Sequence, residues 1–442
     1  MSFDIHSRVP SGHVRKLKAL TERHADINWA LGDQAVISGA SFVTTVLLAR
    51  FLGLEEFGRF TLAWLGVFLA QNLQLAMIAT PLLTIAAKQT RADWPVYKGA
   101  ILVQQAIFAA VMTAIVYAGA RTTGWFVPEW GLDGLALPLA ALVFCAQWAD
   151  FMRRYHYAFE RANVSFAVDF LRYGVQLGLL VAFFLHYGPR ADVAGVLLCM
   201  AAAALLATLP GIAFVGQIKF TLHKFNQVAR RHWPFSRWLI LTAFAQWARD
   251  NFVFTAVGAY LGLAEVGALR AAQQLVTAVN VPLQGFDNIV PARASAAYAS
   301  GGFTGLAGFI GRFVARYMGA VAAVLVLIAL SGNWLLASVF GQAYGAYGFL
   351  VAGLAFVMLI YLVRNVVTIM LRAMEITVFE FYSALAGAAV IMASSYPLVE
   401  SWGLAGAVAS LALFDGVVLA VLLIGLRRAR GLAATTKESV GQ

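Results

Sequence analysis

The stretch FLGLEEFGRF, Phe51 to Phe60, has a near-copy later in the chain, YLGLAEVGAL, Tyr260 to Leu269. The positions shared at an offset of 209 are Leu52-Gly53-Leu54, Glu56 and Gly58 in the first copy and Leu261-Gly262-Leu263, Glu265 and Gly267 in the second. Glycine at a helix end permits the left-handed backbone that a tight reversal needs. A glutamate before the next helix suits the positive end of its dipole. Each copy therefore predicts a turn between two helices.

Two further matches follow in the same order along the chain. Pro81 corresponds to Pro291 at an offset of 210, and Ala194-Gly195 corresponds to Ala405-Gly406 at an offset of 211. Three matches in order indicate a duplicated six-helix unit with two small insertions. Because an even number of spans returns the chain to its starting side, the two copies should have the same orientation, related by an axis along the membrane normal.

The composition is that of a polytopic membrane protein. The chain has 442 residues, of which 61% are hydrophobic and 12% charged, which is too apolar for a soluble domain. A run of about 20 apolar residues can cross a bilayer as a helix. Twelve such runs are predicted at 31–50, 59–87, 97–119, 133–155, 164–187, 192–215, 236–260, 266–290, 309–330, 343–371, 379–398 and 403–426. We expect no cleaved signal peptide before them, because the first residues are polar and basic.

The positive charges fall mainly on one side of these spans. Of the 32 lysines and arginines, 24 lie on the side of the N-terminus, 5 on the other side and 3 inside spans. The five on the opposite side are Arg50, Arg59, Arg121, Arg190 and Arg270. Cytoplasmic loops carry the excess of lysine and arginine, so both termini are predicted to be cytoplasmic. The net charge of +11 is then explained by topology, and nucleic acid is not expected as a partner.

The predicted fold is an all-α polytopic membrane protein. It has about 12 transmembrane helices in two six-helix bundles related by pseudo-twofold symmetry along the membrane normal. The predicted segments are a basic cytoplasmic segment (1–26), a first bundle (27–215), a cytoplasmic linker (216–235), a second bundle (236–426) and a cytoplasmic tail (427–442).

The region around the first turn resembles a known family. DQAVISGASFVTTVLLARFLGLEEFGRFTLAW, Asp33 to Trp64, is similar to the opening helices of the bacterial polysaccharide-biosynthesis flippases of the Wzx type. YLGLAEVGALRAAQQL and IVPARA resemble the seventh and eighth helices of that family. These flippases belong to the multidrug/oligosaccharidyl-lipid/polysaccharide exporter superfamily, and the likeness extends over nearly the whole chain.

The resemblance implies a transporter rather than an enzyme. It would move an undecaprenyl-diphosphate-linked oligosaccharide across the bacterial inner membrane by alternating access, for exopolysaccharide or O-antigen export. A proton or sodium gradient would drive it, and the polymerase machinery for the polysaccharide is a candidate partner. The sequence holds no GxxxxGK[ST] nucleotide-binding motif, and we expect neither a cofactor nor a metal site.

Arginines inside the spans are the candidate substrate-binding residues. Arg172, Arg249 and Arg364 lie in predicted spans, where a charge is costly and usually faces a partner or a wet cavity. Their planar forks suit a diphosphate. Arg153 and Arg154 lie at the cytoplasmic end of the fourth span, where they could capture a headgroup or act as anchors.

Acidic residues near the spans are the candidates for ion coupling. Asp250 and Asp33 are the two predicted sites. Asp250 follows Arg249 directly, and adjacent helix residues are not expected to face each other. Asp150 precedes Arg153 and Arg154 by three and four residues, a spacing that predicts ion pairs.

Three other functions compete with the flippase. A cation-coupled multidrug exporter of the same superfamily should have an acidic cavity, whereas three arginines against one aspartate within spans favour anionic cargo. A membrane polysaccharide polymerase or ligase would need a catalytic surface in its external loops, which are short here. A receptor or scaffold would leave the buried arginines unexplained.

Overall fold

The computed structural model describes residues 12–86 and 88–440, and side chains over most of that range. The described residues are helical apart from short turns. The helices are α1 (Gly12–Gln74), α2 (Thr80–Ala86), α3 (Trp94–Phe126), α4 (Ala136–Ala158), α5 (Ala162–Tyr187), α6 (Val193–Ala213), α7 (Leu222–Tyr260), α8 (Leu263–Thr277), α9 (Asn280–Phe313), α10 (Gly319–Leu330), α11 (Gly332–Phe340), α12 (Gly348–Ala373) and α13 (Val378–Val440).

Seven helical stretches within the described residues are long and apolar enough to cross a membrane. They are Val36–Ala86, Trp94–Phe126, Ala162–Arg190, Val193–Ala213, Arg293–Leu330, Gln342–Ala373 and Val378–Arg430. The protein is therefore a multi-pass helical membrane protein, as its composition predicts. Several stretches exceed the length of one crossing because helices α1, α9 and α13 each contain a break, at Gly53, Gly302 and Gly403.

Both copies of the opening phrase form the predicted turn. Gly53 has φ 78° and ψ −179°, and Gly262, which precedes α8, has φ 112° and ψ 179°. A side chain is strained in this region of backbone space, so glycine is required at both positions. The two turns therefore share one backbone conformation as well as one sequence.

The two phrases also pack directly on each other. A Cβ atom on Gly58 would collide with the carbonyl oxygen of Leu263, and one on Gly267 would collide with that of Leu54. The contact is reciprocal, because Leu54 and Gly58 correspond to Leu263 and Gly267 at the repeat offset. Small residues that let two backbones approach closely are typical of membrane helix crossings. This crossing joins α1 to α8.

Further contacts join the N-terminal half (residues 12–213) to the C-terminal half (222–440) near these turns. Arg50 donates hydrogen bonds to the carbonyls of Ser338 and Val339, the latter at 2.6 Å. The hydroxyl of Tyr344 donates to the Ala49 carbonyl at 3.1 Å. We call this region, where α1 breaks and α7 ends, the Gly53 end of the molecule.

The indole of Trp130 adds a further contact at the Gly53 end. Its Nε1 donates to the carbonyl of Gly258, near the last turn of α7, at 3.0 Å. The two halves are thus joined at this end by one helix crossing and by side chains that bind backbone carbonyls across the interface.

Helix α7 begins earlier than the predicted seventh span. The segment 216–235, predicted as a linker, is helical from Leu222 and continues without a break to Tyr260. Its first turns lie on the N-terminal half, where His232 Nε2 is 3.1 Å from the Tyr97 hydroxyl. Further along, Trp247 Nε1 donates to the Leu65 carbonyl at 2.9 Å. The helix is therefore held by the N-terminal half before it reaches the residues that line a cavity.

Candidate functional site

A cavity of about 360 Å³ lies in the C-terminal half of the molecule. Its walls come from α7, α8, α12 and the part of α13 that follows Gly403. Four charged residues, two from α7 and one each from α12 and α13, face it together with two aromatic rings. They are Arg249, Asp250, Arg364, Asp415, Tyr361 and Phe414. Polar and aromatic groups that converge in one apolar cavity are typical of a ligand site.

The most enclosed charges of the cavity form one ion pair. Arg364 Nη1 lies 2.6 Å from Asp415 Oδ1, and their side chains are 14% and 10% exposed. The guanidinium carbon of Arg364 is 4.8 Å from the centre of the Tyr361 ring and 5.8 Å from that of Phe414. The carboxylate and the ring faces both stabilise the buried guanidinium.

The second ion pair is formed by the adjacent residues Arg249 and Asp250. Arg249 Nε lies 2.7 Å from Asp250 Oδ1, and Nη2 lies 2.9 Å from Oδ2, so the fork binds both oxygens. The expectation that these neighbours do not face each other is wrong. Their Cβ directions do diverge on the helix, but the arginine chain is long enough to fold back to the carboxylate. Arg249 also lies 6.0 Å from the ring of Phe414.

These pairs correct the expected charge of the site. Three arginines against one aspartate were expected within the spans, whereas the cavity holds two arginines and two aspartates. Asp415 supplies the second acid, and Arg172 lies in another cluster. The net charge of these four residues therefore favours neither anions nor cations. The cavity provides two guanidiniums, each already bound to a carboxylate.

Arg270 lies beside this cavity, although its charge was counted among the five on the side opposite the termini. Helix α8 begins at Leu263, so Arg270 lies two turns inside the helix. Its Nη1 donates to Gln273 Oε1 at 2.9 Å, and Gln273 lines the cavity. Its guanidinium carbon is 5.5 Å from the Phe68 ring of the N-terminal half. The repeat could have revealed this, since it places the start of α8 directly after Gly262.

The other three candidate arginines lie together in the N-terminal half. Arg153 Nη2 and Arg154 Nε bind the two oxygens of Asp150 at 3.0 and 2.9 Å, as their spacing predicts. Arg153 Nε is also 3.4 Å from Asp169 on α5. Arg172 is 7% exposed, one helix turn beyond Asp169. This cluster ties α4 to α5, and its residues do not line the cavity described above.

The remaining ion-coupling candidate, Asp33, belongs to helix α1, and its side chain is not among those that the structure describes. Within the described part of the chain, no group of three or more histidine, cysteine, aspartate or glutamate residues is placed to hold a metal ion.

Residues 25–291, more than half of the chain, match the family described as "Polysaccharide biosynthesis protein". The chain belongs to this family. The resemblance of its opening helices to polysaccharide-biosynthesis flippases is thereby confirmed at the level of the family. No curated protein matches the chain.

Solved structures of two kinds share the fold of this family member. An inward-facing multidrug resistance MATE family transporter of the MOP superfamily has a TM-score of 0.72 at 15% identity, covering 91% of this chain and 96% of that one. The lipid II flippase MurJ in an inward closed conformation has a TM-score of 0.70 at 9% identity, covering 91% and 87%. An outward-facing MATE family transporter has a TM-score of 0.60 at 16% identity, covering 94% and 97%.

Proposed function

We propose that the protein is a flippase for an undecaprenyl-diphosphate-linked oligosaccharide. It would carry this lipid from the cytoplasmic to the periplasmic leaflet of the bacterial inner membrane, for exopolysaccharide or O-antigen export. The observation that carries the proposal is the cavity of this polysaccharide-biosynthesis family member, where Arg249 and Arg364 converge on Phe414. Guanidinium forks bind phosphate oxygens, and aromatic rings offer flat surfaces to sugars.

The proposed architecture has twelve spans in two six-helix bundles, 27–215 and 236–426. The breaks at Gly53, Gly302 and Gly403 support it, because each divides one long helix into two segments. The reciprocal contact of Gly58 and Gly267 is the arrangement that a twofold axis produces. With both termini in the cytoplasm, the Gly53 end is periplasmic.

In the proposed cycle, the structure represents the inward-facing state. The contacts between the halves at the Gly53 end support this, since they close the molecule on the side proposed to be periplasmic. Parting of these contacts would open the cavity to the periplasm. The higher TM-scores against inward than against outward structures agree with this assignment.

The test of the function is export by arginine variants in a strain that lacks the gene. Arg249→Ala and Arg364→Ala should each lower delivery of lipid-linked oligosaccharide to the periplasmic leaflet by about 10- to 100-fold, because a hydrogen bond to a charged group contributes about 1.5–3 kcal/mol. Arg372→Ala is the matched control, since Arg372 lies on α12, the helix of Arg364, and binds Glu380 outside the cavity. Full delivery by both cavity variants at normal protein levels would refute the proposal.

A multidrug exporter is the second candidate function. Asp250 and Asp415 favour it, because carboxylates in a cavity can bind organic cations. The two arginines paired with them oppose it. Deletion of the gene separates the two functions: a flippase mutant loses surface polysaccharide and accumulates its lipid precursor in the cytoplasmic leaflet, whereas an exporter mutant becomes sensitive to drugs and keeps its polysaccharide.

A further inference from the structure

The two carboxylates of the cavity differ in their access to solvent, although each is bound to a guanidinium. The Asp415 side chain is 10% exposed, and the Asp250 side chain is 55% exposed. A solvated carboxylate keeps its charge when its cation leaves, whereas a buried carboxylate without a cation is strongly disfavoured in its ionised form. The two pairs must therefore respond differently to an anion that enters the cavity.

The charged and titratable groups around Asp415 come from two neighbouring helices. Arg364 and Tyr361 face it from α12, and Arg249 and Asp250 act on it from α7. Arg364 makes the direct contact with Asp415, while both oxygens of Asp250 hold the fork of Arg249. Arg364 and Asp415 thus neutralise each other's charge through one direct ionic contact.

We propose that Asp415 is the proton-binding residue of the cavity and takes up one proton when an anionic group binds Arg364. The inference rests on the proposed function, because it takes the cargo to be an anion. An oxygen of the cargo replaces Asp415 Oδ1 at the guanidinium of Arg364. The displaced carboxylate then accepts one proton from water and becomes a neutral carboxylic acid. Asp250 takes no part in this exchange, because its side chain is 55% exposed and both its oxygens stay on the fork of Arg249.

This exchange makes the proton and the anion bind cooperatively. Linkage is reciprocal, so acidification strengthens anion binding to the same degree that anion binding strengthens proton uptake. A carboxylate that bound a cationic cargo directly would behave in the opposite way, since the proton would compete with that cargo. The bound proton also removes one negative charge from the complex that has to cross the bilayer.

Calorimetry on the purified full chain tests the exchange, with geranyl diphosphate as the probe. Titrations in two buffers of different ionisation enthalpy give the number of protons taken up per probe bound. We expect about one proton for the wild type beyond the probe's own titration, and binding that strengthens by up to about tenfold for each unit of acidification. Asp415→Asn should bind the probe more tightly at neutral pH and should lose this proton uptake.

Two matched variants complete the design. Asp250→Asn should keep the proton uptake, because Asp415 is still present. Glu380→Gln breaks a fork with Arg372 outside the cavity, where both contacts measure 2.8 Å, and should leave binding and proton uptake unchanged. Should Asp415→Asn fail to fold, infrared difference spectra of the wild type decide the matter: the probe must raise a carboxylic acid band.

The outcomes separate this inference from the function on which it rests. Equal proton uptake by the wild type and Asp415→Asn would overturn the inference, as would loss of uptake in Asp250→Asn alone or the absence of an acid band. In each of these cases the probe still binds, and the flippase proposal stands. A wild type that does not bind the probe, or an Arg364→Ala variant that binds it equally well, would remove the anionic site and the inference with it.

Discussion

At the residue scale, the crossing of α1 and α8 depends on two glycines. Gly58 and Gly267 each leave space for a carbonyl oxygen of the opposite helix, at Leu263 and Leu54. Since the obstacle is backbone rather than the end of a flexible side chain, an added methyl group cannot be accommodated by a change of rotamer. The two helices would have to move apart, and this would loosen the packing near the cavity.

Gly267→Ala should therefore destabilise the protein by about 3 kcal/mol, the upper part of the range for overpacked cores. The measurement is the apparent Tm of the purified protein. Gly119→Ala on α3 is the control, because a methyl group there meets no atom within 4 Å. It should leave the Tm unchanged or raise it slightly, since alanine favours a helix over glycine. Equal Tm values for the two variants would contradict the close crossing.

Three of the four charged residues of the cavity, Arg249, Asp250 and Arg364, were candidates from the sequence, whereas Asp415 and the pairing of the charges were not. An arginine within an apolar run already indicates a position where the charge meets a partner or a wet cavity, and Arg249 and Arg364 do line the cavity. The partner of Arg364 is 51 residues away in the sequence, on another helix. Only tertiary packing places Asp415 there, and the same packing moves Arg172 into a separate cluster.

At the scale of elements, the start of α7 is attached to α3 through one buried histidine. His232 precedes the predicted seventh span, is 4% exposed and lies within hydrogen-bond distance of the Tyr97 hydroxyl. Burial, helped by the neighbouring charge of Arg231, lowers the pKa of His232 to about 4. The attachment therefore requires a neutral imidazole.

This attachment predicts a stability that depends on pH. The unfolded chain binds a proton at His232 with a pKa near 6.5, and the folded chain binds it only near 4. The free energy of unfolding should be at its full value above pH 6.5. It should fall as the pH decreases toward 4, by a total on the order of 3 kcal/mol. Denaturant unfolding at the two ends of this range measures the change.

His232→Gln should remove most of this pH dependence, because the titrating group is gone. His223→Gln is the control, since His223 is exposed in the first turn of α7, well before His232, and should leave the dependence unchanged. A wild type whose unfolding free energy is the same at both ends of the range would show that His232 is not held in its neutral form.

Hydropathy did not predict the limits of two elements near the site. Hydropathy located the seventh span at 236–260, whereas helix α7 starts at Leu222 because its polar turns pack on the N-terminal half. Arg270 was counted with the charges opposite the termini because it lies near the edge of the eighth predicted span, which begins at residue 266. The turn at Gly262 instead starts α8 at Leu263 and directs Arg270 toward Phe68.

At the scale of the whole molecule, the duplication was the most informative feature of the sequence. Its three matches predicted two related halves, and the structure gives Gly53 and Gly262 the same unusual backbone conformation. The offsets did not predict that the two copies pack on each other, because two segments with similar sequences need not be in contact. At the repeat offsets, Arg249, Asp250 and Asp415 correspond to the uncharged Ala40, Ser41 and Ala204, so the charges of the cavity are not reproduced as a set in the first half.

The contacts at the Gly53 end and the position of the cavity together predict access from one side. In the proposed inward-facing state, the Gly53 end is closed and the cavity is reached from the cytoplasm. Thr277 lines the cavity, and the chain has two cysteines, Cys145 and Cys199. Thr277→Cys in a chain with Cys145→Ser and Cys199→Ser therefore gives a single reporter of access.

With a membrane-impermeant maleimide, this reporter should react faster in inside-out vesicles than in right-side-out vesicles. Arg50→Ala combined with Trp130→Ala removes hydrogen bonds that join the halves at the Gly53 end. Losing about 1.5–3 kcal/mol of contacts should raise labelling from the periplasmic side by about 10- to 100-fold. Arg121→Cys, in the last turns of α3 on the side proposed to be periplasmic, should react from that side in both backgrounds. A reporter at Thr277 that reacts equally from both sides, or that ignores the paired substitutions, would contradict closure at the Gly53 end.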